Sequence, residues 1–72
     1  MGTYKVHDDL KRRIRRAGLV DRDVAHALGE HPKTTNARLN GYMDLNEETR
    51  NKIVSTIEKA EAAMRANLQE RG

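Results

Sequence analysis

The chain has 72 residues, no Cys, Phe or Trp, and a formal charge of +3. That length argues for one domain with a small core, because so short a chain buries only about 60% of its unfolded surface on folding. The lack of cysteine excludes disulfide staples, cysteine-type zinc sites and thiol catalysis. No apolar run reaches the roughly 20 residues of a membrane span and no block near Met1 resembles a signal peptide, so a cytoplasmic location is expected.

The apolar residues are almost all aliphatic or alanine, which suits helices better than sheets. An all-α bundle of four main helices is expected, the last long and projecting. In the first, Val6, Leu10, Ile14 and Ala17 recur at spacings of four, four and three, forming one apolar stripe that ends at Gly18. Around it lie Lys11, Arg12, Arg13, Arg15 and Arg16, a cluster that suits either phosphate contact or a solvated helix face. The second helix is predicted from about Asp21 to Leu28, with Asp21 as its cap, Val24, Ala25 and Leu28 facing inward, and Gly29 as a left-handed stop.

The third helix begins at Pro32, whose missing amide hydrogen costs nothing in a first turn, and stops at Asn40-Gly41. Two short helices joined through Gly29 make a helix-turn-helix unit, with the small Ala25 where the helices cross. Outward on the third helix stand Pro32, Lys33, Asn36, Ala37 and Asn40, with Thr34 at the leading edge. Lys33 can donate to guanine acceptors, Asn36 can bond adenine through both amide atoms, and Thr34 can reach a phosphate or a thymine methyl. Lys, Thr and Asn also make ordinary exposed helix surface.

The fourth helix opens at Asp44 or Asn46 and runs from Glu47 to about Gln69. Ile53, Ile57, Ala60, Met64 and Leu68 form a heptad-like seam. A domain of this size needs only the first half of that helix. The chain therefore divides into a DNA-binding domain over residues 1–60 and a helical extension over 61–72, with Ile57, Ala60, Met64 and Leu68 as the dimerisation candidates. A frayed alanine-rich terminus is the simpler alternative.

Charge follows the same division. Residues 1–40 hold nine Lys or Arg against five Asp or Glu, and residues 41–72 hold five against six, so the basic half contains the helix-turn-helix unit.

Two overlapping stretches resemble known families. Leu10–Gly29, LKRRIRRAGLVDRDVAHALG, resembles the opening of the lambda-repressor-like domains of the phage Cro and repressor type. From Asp23 to Lys59, DVAHALGEHPKTTNARLNGYMDLNEETRNKIVSTIEK is similar to the headpiece of lactose-repressor-type regulators, with Leu39-Asn40-Gly41, Glu47-Glu48-Thr49-Arg50 and Lys52-Ile53 in register. The resemblance implies base reading by the start of the third helix, at Lys33 and Thr34, and one turn on by Asn36 and Ala37. It implies phosphate contact near the start of the second helix, where Arg22 suits and the Asp21 carboxylate does not, and after the third helix at Asn40 and Tyr42. Thr35 and Arg38 complete the expected phosphate-binding set.

Three positions depart from the family pattern. Glu30 stands where a buried Val is usual and needs the surface or a partner such as Arg38. Arg38 replaces an inward aliphatic residue, and Ala37 replaces a base-contacting Arg. Either the third helix is rotated by about one residue, or its inward face rests on Thr35 and Leu39 alone.

His7, His26 and His31 lack metal-ligand spacing, Asp8-Asp9 and Asp21/Asp23 read as helix starts, and no catalytic set or phosphate loop is present. No enzyme activity, cofactor, metal or small-molecule ligand is expected. The sequence therefore points to a sequence-specific binder of double-stranded DNA that regulates transcription as a homodimer, a repressor or phage-like switch protein. The alternatives are a helix-turn-helix protein-interaction module, as in an antitoxin or assembly adaptor, and a DNA-binding component of a packaging or recombination complex.

Overall fold

Helix-stop signals dominate the architecture. In the computed structural model, which describes the backbone of residues 4–71 and the side chains of 4–68, four helices follow one another: α1 (Asp8–Arg16), α2 (Asp21–Leu28), α3 (Pro32–Leu39) and α4 (Glu47–Arg71). The described residues contain no strand. The backbone therefore has the all-helical form that the aliphatic inventory predicts.

Each of the first three helices closes the same way. After α2, the Glu30 amide donates to the Ala25 carbonyl (3.0 Å) and the Gly29 amide to that of His26 (3.2 Å), with Gly29 at φ +72°. This pair of bonds satisfies the last orphan carbonyls and requires a left-handed residue. Leu19 to Ile14 (3.0 Å) and Tyr42 to Ala37 (2.9 Å) are the matching bonds after α1 and α3.

α2, α3 and α4 begin where expected, at Asp21, Pro32 and Glu47, but their caps differ in part from expectation. Asp21 is the first residue inside α2 and does not cap it; Val20 holds the cap position, and Asp23 accepts the Val20 amide hydrogen at 3.0 Å. The His31 Nδ1 caps α3 by accepting from the Lys33 amide at 3.1 Å, immediately before Pro32. Asn46, one of the two expected openers of α4, accepts the Thr49 amide hydrogen at 2.8 Å.

The core gathers Leu10, Ile14 and Ala17 from and just after α1, Val24 from α2, Leu39 from α3, and Ile53 and Ile57 from α4. Leu19, Leu28, Leu45, Val54 and Ala60 pack around it, half-buried. Val6, expected on the α1 stripe, precedes the helix and is exposed. Ala25 is buried, as a residue at the α2–α3 approach must be.

α4 corrects one expectation and sharpens another. Ile57 is fully buried inside this single chain, so it belongs to the core and is removed from the dimerisation set. Ala60 is half-spent on the same core. Beyond it the helix continues unbroken through the expected boundary at residue 60, with Met64 44% and Leu68 69% exposed. No described helix is long and apolar enough to cross a membrane.

Candidate nucleic-acid interface

α3 is held by its own inward face, and everything else on it follows from that. Thr35 and Leu39 are buried one turn apart, so Lys33 and Ala37 lie on the opposite side of the helix. Asn36 and Asn40 flank that outer strip toward α1 and the start of α2, as their hydrogen bonds to Asp21 and from Lys11 record. Arg38 flanks it on the side of the α2–α3 turn, where it meets Glu30.

A polar cluster fixes the rotation of α3. Thr35 Oγ1 donates to Glu30 Oε2 at 2.6 Å, and Arg38 Nε donates to Glu30 Oε1 at 3.2 Å. Arg38 Nη1 then donates to the Asp44 carbonyl at 2.7 Å. Glu30 is thus paired with Arg38, and α3 rests inward on Thr35 and Leu39, which makes a rotated register unnecessary.

The same bonds correct two expected phosphate ligands. Thr35 has no exposed surface and spends its hydroxyl on Glu30. Arg38 is about three-quarters buried and is occupied by Glu30 and the Asp44 carbonyl. A third candidate, Asn40, changes role: its Oδ1 accepts from Lys11 Nζ at 2.6 Å and its Nδ2 donates to the Asn36 carbonyl at 2.9 Å. Asn40 thereby holds the Lys11 ammonium, whose two remaining hydrogens are free for another acceptor.

Lys33 and Asn36 are exposed, Thr34 and Ala37 half-buried, and Arg22 and Tyr42 exposed. Beside α3 runs a groove of about 770 Å³ whose walls include Lys11, Arg15, Arg22, Pro32, Asn36 and Asn40. Lys11 and Arg15 are four residues apart and so share one face of α1. The basic cluster of α1 is therefore divided: Arg12 pairs with Asp9 (2.9 Å) and Arg13 reaches Glu61 (3.5 Å), away from the groove. Three cations against the one carboxylate of Asp21 make the groove electropositive, a field suited to anions.

Asp21 is itself engaged. Its Oδ2 accepts from Asn36 Nδ2 at 2.9 Å, linking the start of α2 to the middle of α3. No local pattern signals this contact or the Lys11–Asn40 bond, because each depends on how helices are juxtaposed, whereas the His31 cap is local to the start of α3 and goes unread because histidine is not among the favoured cap residues. The i, i+4 spacing of Lys11 and Arg15 was the one available signal for the groove wall.

At its far end α3 meets the N-terminal segment. The Tyr4 amide donates to the Gly41 carbonyl (3.0 Å) and the His7 amide to that of Leu39 (2.9 Å), so residues 4–7 lie along the helix exit. Tyr4, through its amide, and Tyr42, as the next residue, both adjoin Gly41, and both are exposed. Among the described residues no three His, Asp or Glu side chains gather as a metal site. No family model, curated protein or solved structure matches the chain.

Proposed function

We propose that this chain binds double-stranded DNA sequence-specifically, with α3 in the major groove, and acts as a transcriptional regulator. The observation that carries the reading is the exposed outer strip of α3, with Lys33 and Asn36, set beside the Lys11, Arg15 and Arg22 wall. A short helix flanked by phosphate-seeking cations is the arrangement that positions base-reading side chains. Lys33, Thr34, Asn36 and Ala37 are the proposed base-reading strip; Lys11, Arg15, Arg22 and Tyr42 are the proposed backbone contacts.

One such helix covers too little DNA for tight specificity, so the reading includes a second copy related by a twofold axis. The bare Met64 and Leu68 on the projecting half of α4 are the proposed contact between copies.

Fluorescence anisotropy with a labelled random duplex at a series of salt concentrations tests the reading. Three phosphate-neutralising cations give a log–log slope of about −2.7 per chain, so a fourfold rise in salt weakens the binding of each chain about 40-fold. Absence of binding at low salt overturns the DNA reading and favours the protein-interaction alternative.

A further inference from the structure

A carboxylate at the mouth of a phosphate-binding groove is electrostatically adverse, since it repels the ligand that the surrounding cations attract. Asp21 is such a group, and its place is not explained by capping, because Asp23 supplies the carboxylate that meets the Val20 amide. What Asp21 does is accept a hydrogen bond from Asn36 Nδ2 at 2.9 Å. The contact also settles the orientation of the Asn36 amide: Nδ2 faces the carboxylate, because Oδ1 there would set acceptor against acceptor.

We infer that Asp21 is a positioning residue for base recognition, holding the Asn36 carboxamide so that it selects adenine. This rests on the DNA-binding reading above. An unrestrained Asn on an exposed helix turns its amide to suit several base edges. Once Asp21 takes one Nδ2 hydrogen, the other hydrogen and Oδ1 remain, one donor and one acceptor on a fixed plane. Adenine offers the complement in the major groove, with N7 as acceptor and the N6 amino group as donor. Guanine presents two acceptors there, so Oδ1 would oppose O6, and cytosine and thymine lack the paired pattern. The groove accepts the repulsion of one carboxylate and gains a directed amide.

The consequence separates affinity from selectivity. Removing Asp21 deletes a negative charge beside three cations, so binding to arbitrary duplex is maintained or strengthened. Selectivity falls, because Asn36 is released.

The test begins with selection of preferred sites from a randomised duplex library by the full chain. Affinities of wild type, Asp21→Ala, Asp21→Asn and Asn36→Ala are then measured on the selected duplex and on every single-base-pair variant of it. Wild type is expected to prefer A·T over the other pairs at one position by about tenfold or more, and Asn36→Ala to lose that preference. Asp21→Ala is expected to lose most of the preference at that position while binding random duplex at least as tightly as wild type. Asp21→Asn removes the same charge but retains an acceptor oxygen, so it restores the preference; a purely electrostatic or structural role for Asp21 predicts that the two variants behave alike. Replacing that adenine by 7-deazaadenine, which lacks the N7 acceptor, weakens binding by wild type and leaves Asn36→Ala unaffected.

Retention of the preference by Asp21→Ala, its loss in Asp21→Asn, or dependence of a non-adenine position on Asn36 overturns the inference while the DNA reading stands. Sequence-indifferent binding by wild type overturns it as well. If wild type binds no duplex at low salt, the DNA reading falls and takes the inference with it.

Discussion

Truncating Glu30 to Ala is expected to cost far more than an ordinary substitution in a turn. Glu30 is the common acceptor for Thr35 Oγ1 (2.6 Å) and Arg38 Nε (3.2 Å), and Thr35 is wholly buried. Losing the acceptor strands the hydroxyl, a penalty of about 1–3 kcal/mol; rotation of Oγ1 toward the His31 carbonyl of the preceding turn sets the low end of that range. The Arg38–Glu30 pair has side chains 23% and 17% exposed, so solvent screens it in part and its loss adds about 1 kcal/mol. The sum, about 2–4 kcal/mol, is a large share of the roughly 4–11 kcal/mol that a chain of this length has available. It corresponds to a fall in melting temperature of about 10–25 °C.

Far-ultraviolet circular dichroism of thermal and urea unfolding measures this directly, and a cycle with Thr35→Val isolates the cause. The Val variant alone deletes the buried donor and leaves Glu30 with Arg38, so it costs about 1 kcal/mol. The double variant has no stranded hydroxyl and is expected to be more stable than Glu30→Ala alone. Additive costs, or a Glu30→Ala protein within about 0.5 kcal/mol of wild type, would refute the view that Glu30 sets the seat of α3.

Three further outcomes follow from other parts of the molecule. Lys33→Ala should cost about 1–3 kcal/mol on a selected duplex and little on random DNA in anisotropy titrations; equal losses on both would make Lys33 a phosphate contact. Gly29→Ala should cost about 1–2 kcal/mol for its left-handed backbone alone, since a Cβ there meets open space, whereas at Gly41 a Cβ would also strike the Tyr4 carbonyl, so Gly41→Ala should be clearly the less stable of the two in urea denaturation. Truncation after Ala60 leaves every residue of the core in place, so the melting temperature of the monomer should change little; sizing in solution should show a dimer becoming a monomer, and an unchanged dimer would remove Met64 and Leu68 from the proposed contact.

Helix number and boundaries were legible because they depend on local punctuation. Gly18, Gly29, Asn40-Gly41 and Pro32 act through backbone conformation and missing hydrogens, which are properties of the residues themselves. The pairing of Glu30 with Arg38 was also legible, as a charge in a buried position needs a partner. Roles on α3 were less so. Thr35 and Arg38 carry groups suited to phosphate, and only the rotation of the helix decides that one is buried and the other committed to the turn. Ile57 fits a seam of period three and four, but the same period serves the core, and α4 gives its first half to the core before the seam begins. Asp21 reads as a cap because aspartate favours that position; it is instead the first residue of α2, the cap falls one residue earlier at Val20, and the Asp21 carboxylate is left to α3.

The placement of the two tyrosines determines what light reports about this molecule. With no Trp and no Phe, Tyr4 and Tyr42 are the whole aromatic complement, and the hydrogen bond from the Tyr4 amide to the Gly41 carbonyl puts both at the exit of α3. The aliphatic core is spectroscopically silent. Intrinsic fluorescence is therefore a probe of one junction, the strap of residues 4–7 against the end of α3, and it can change when that strap detaches while the helical dichroism is still intact. Emission and dichroism followed in the same melt would then give two transitions, which separate the loosening of the N-terminal strap from the unfolding of the bundle.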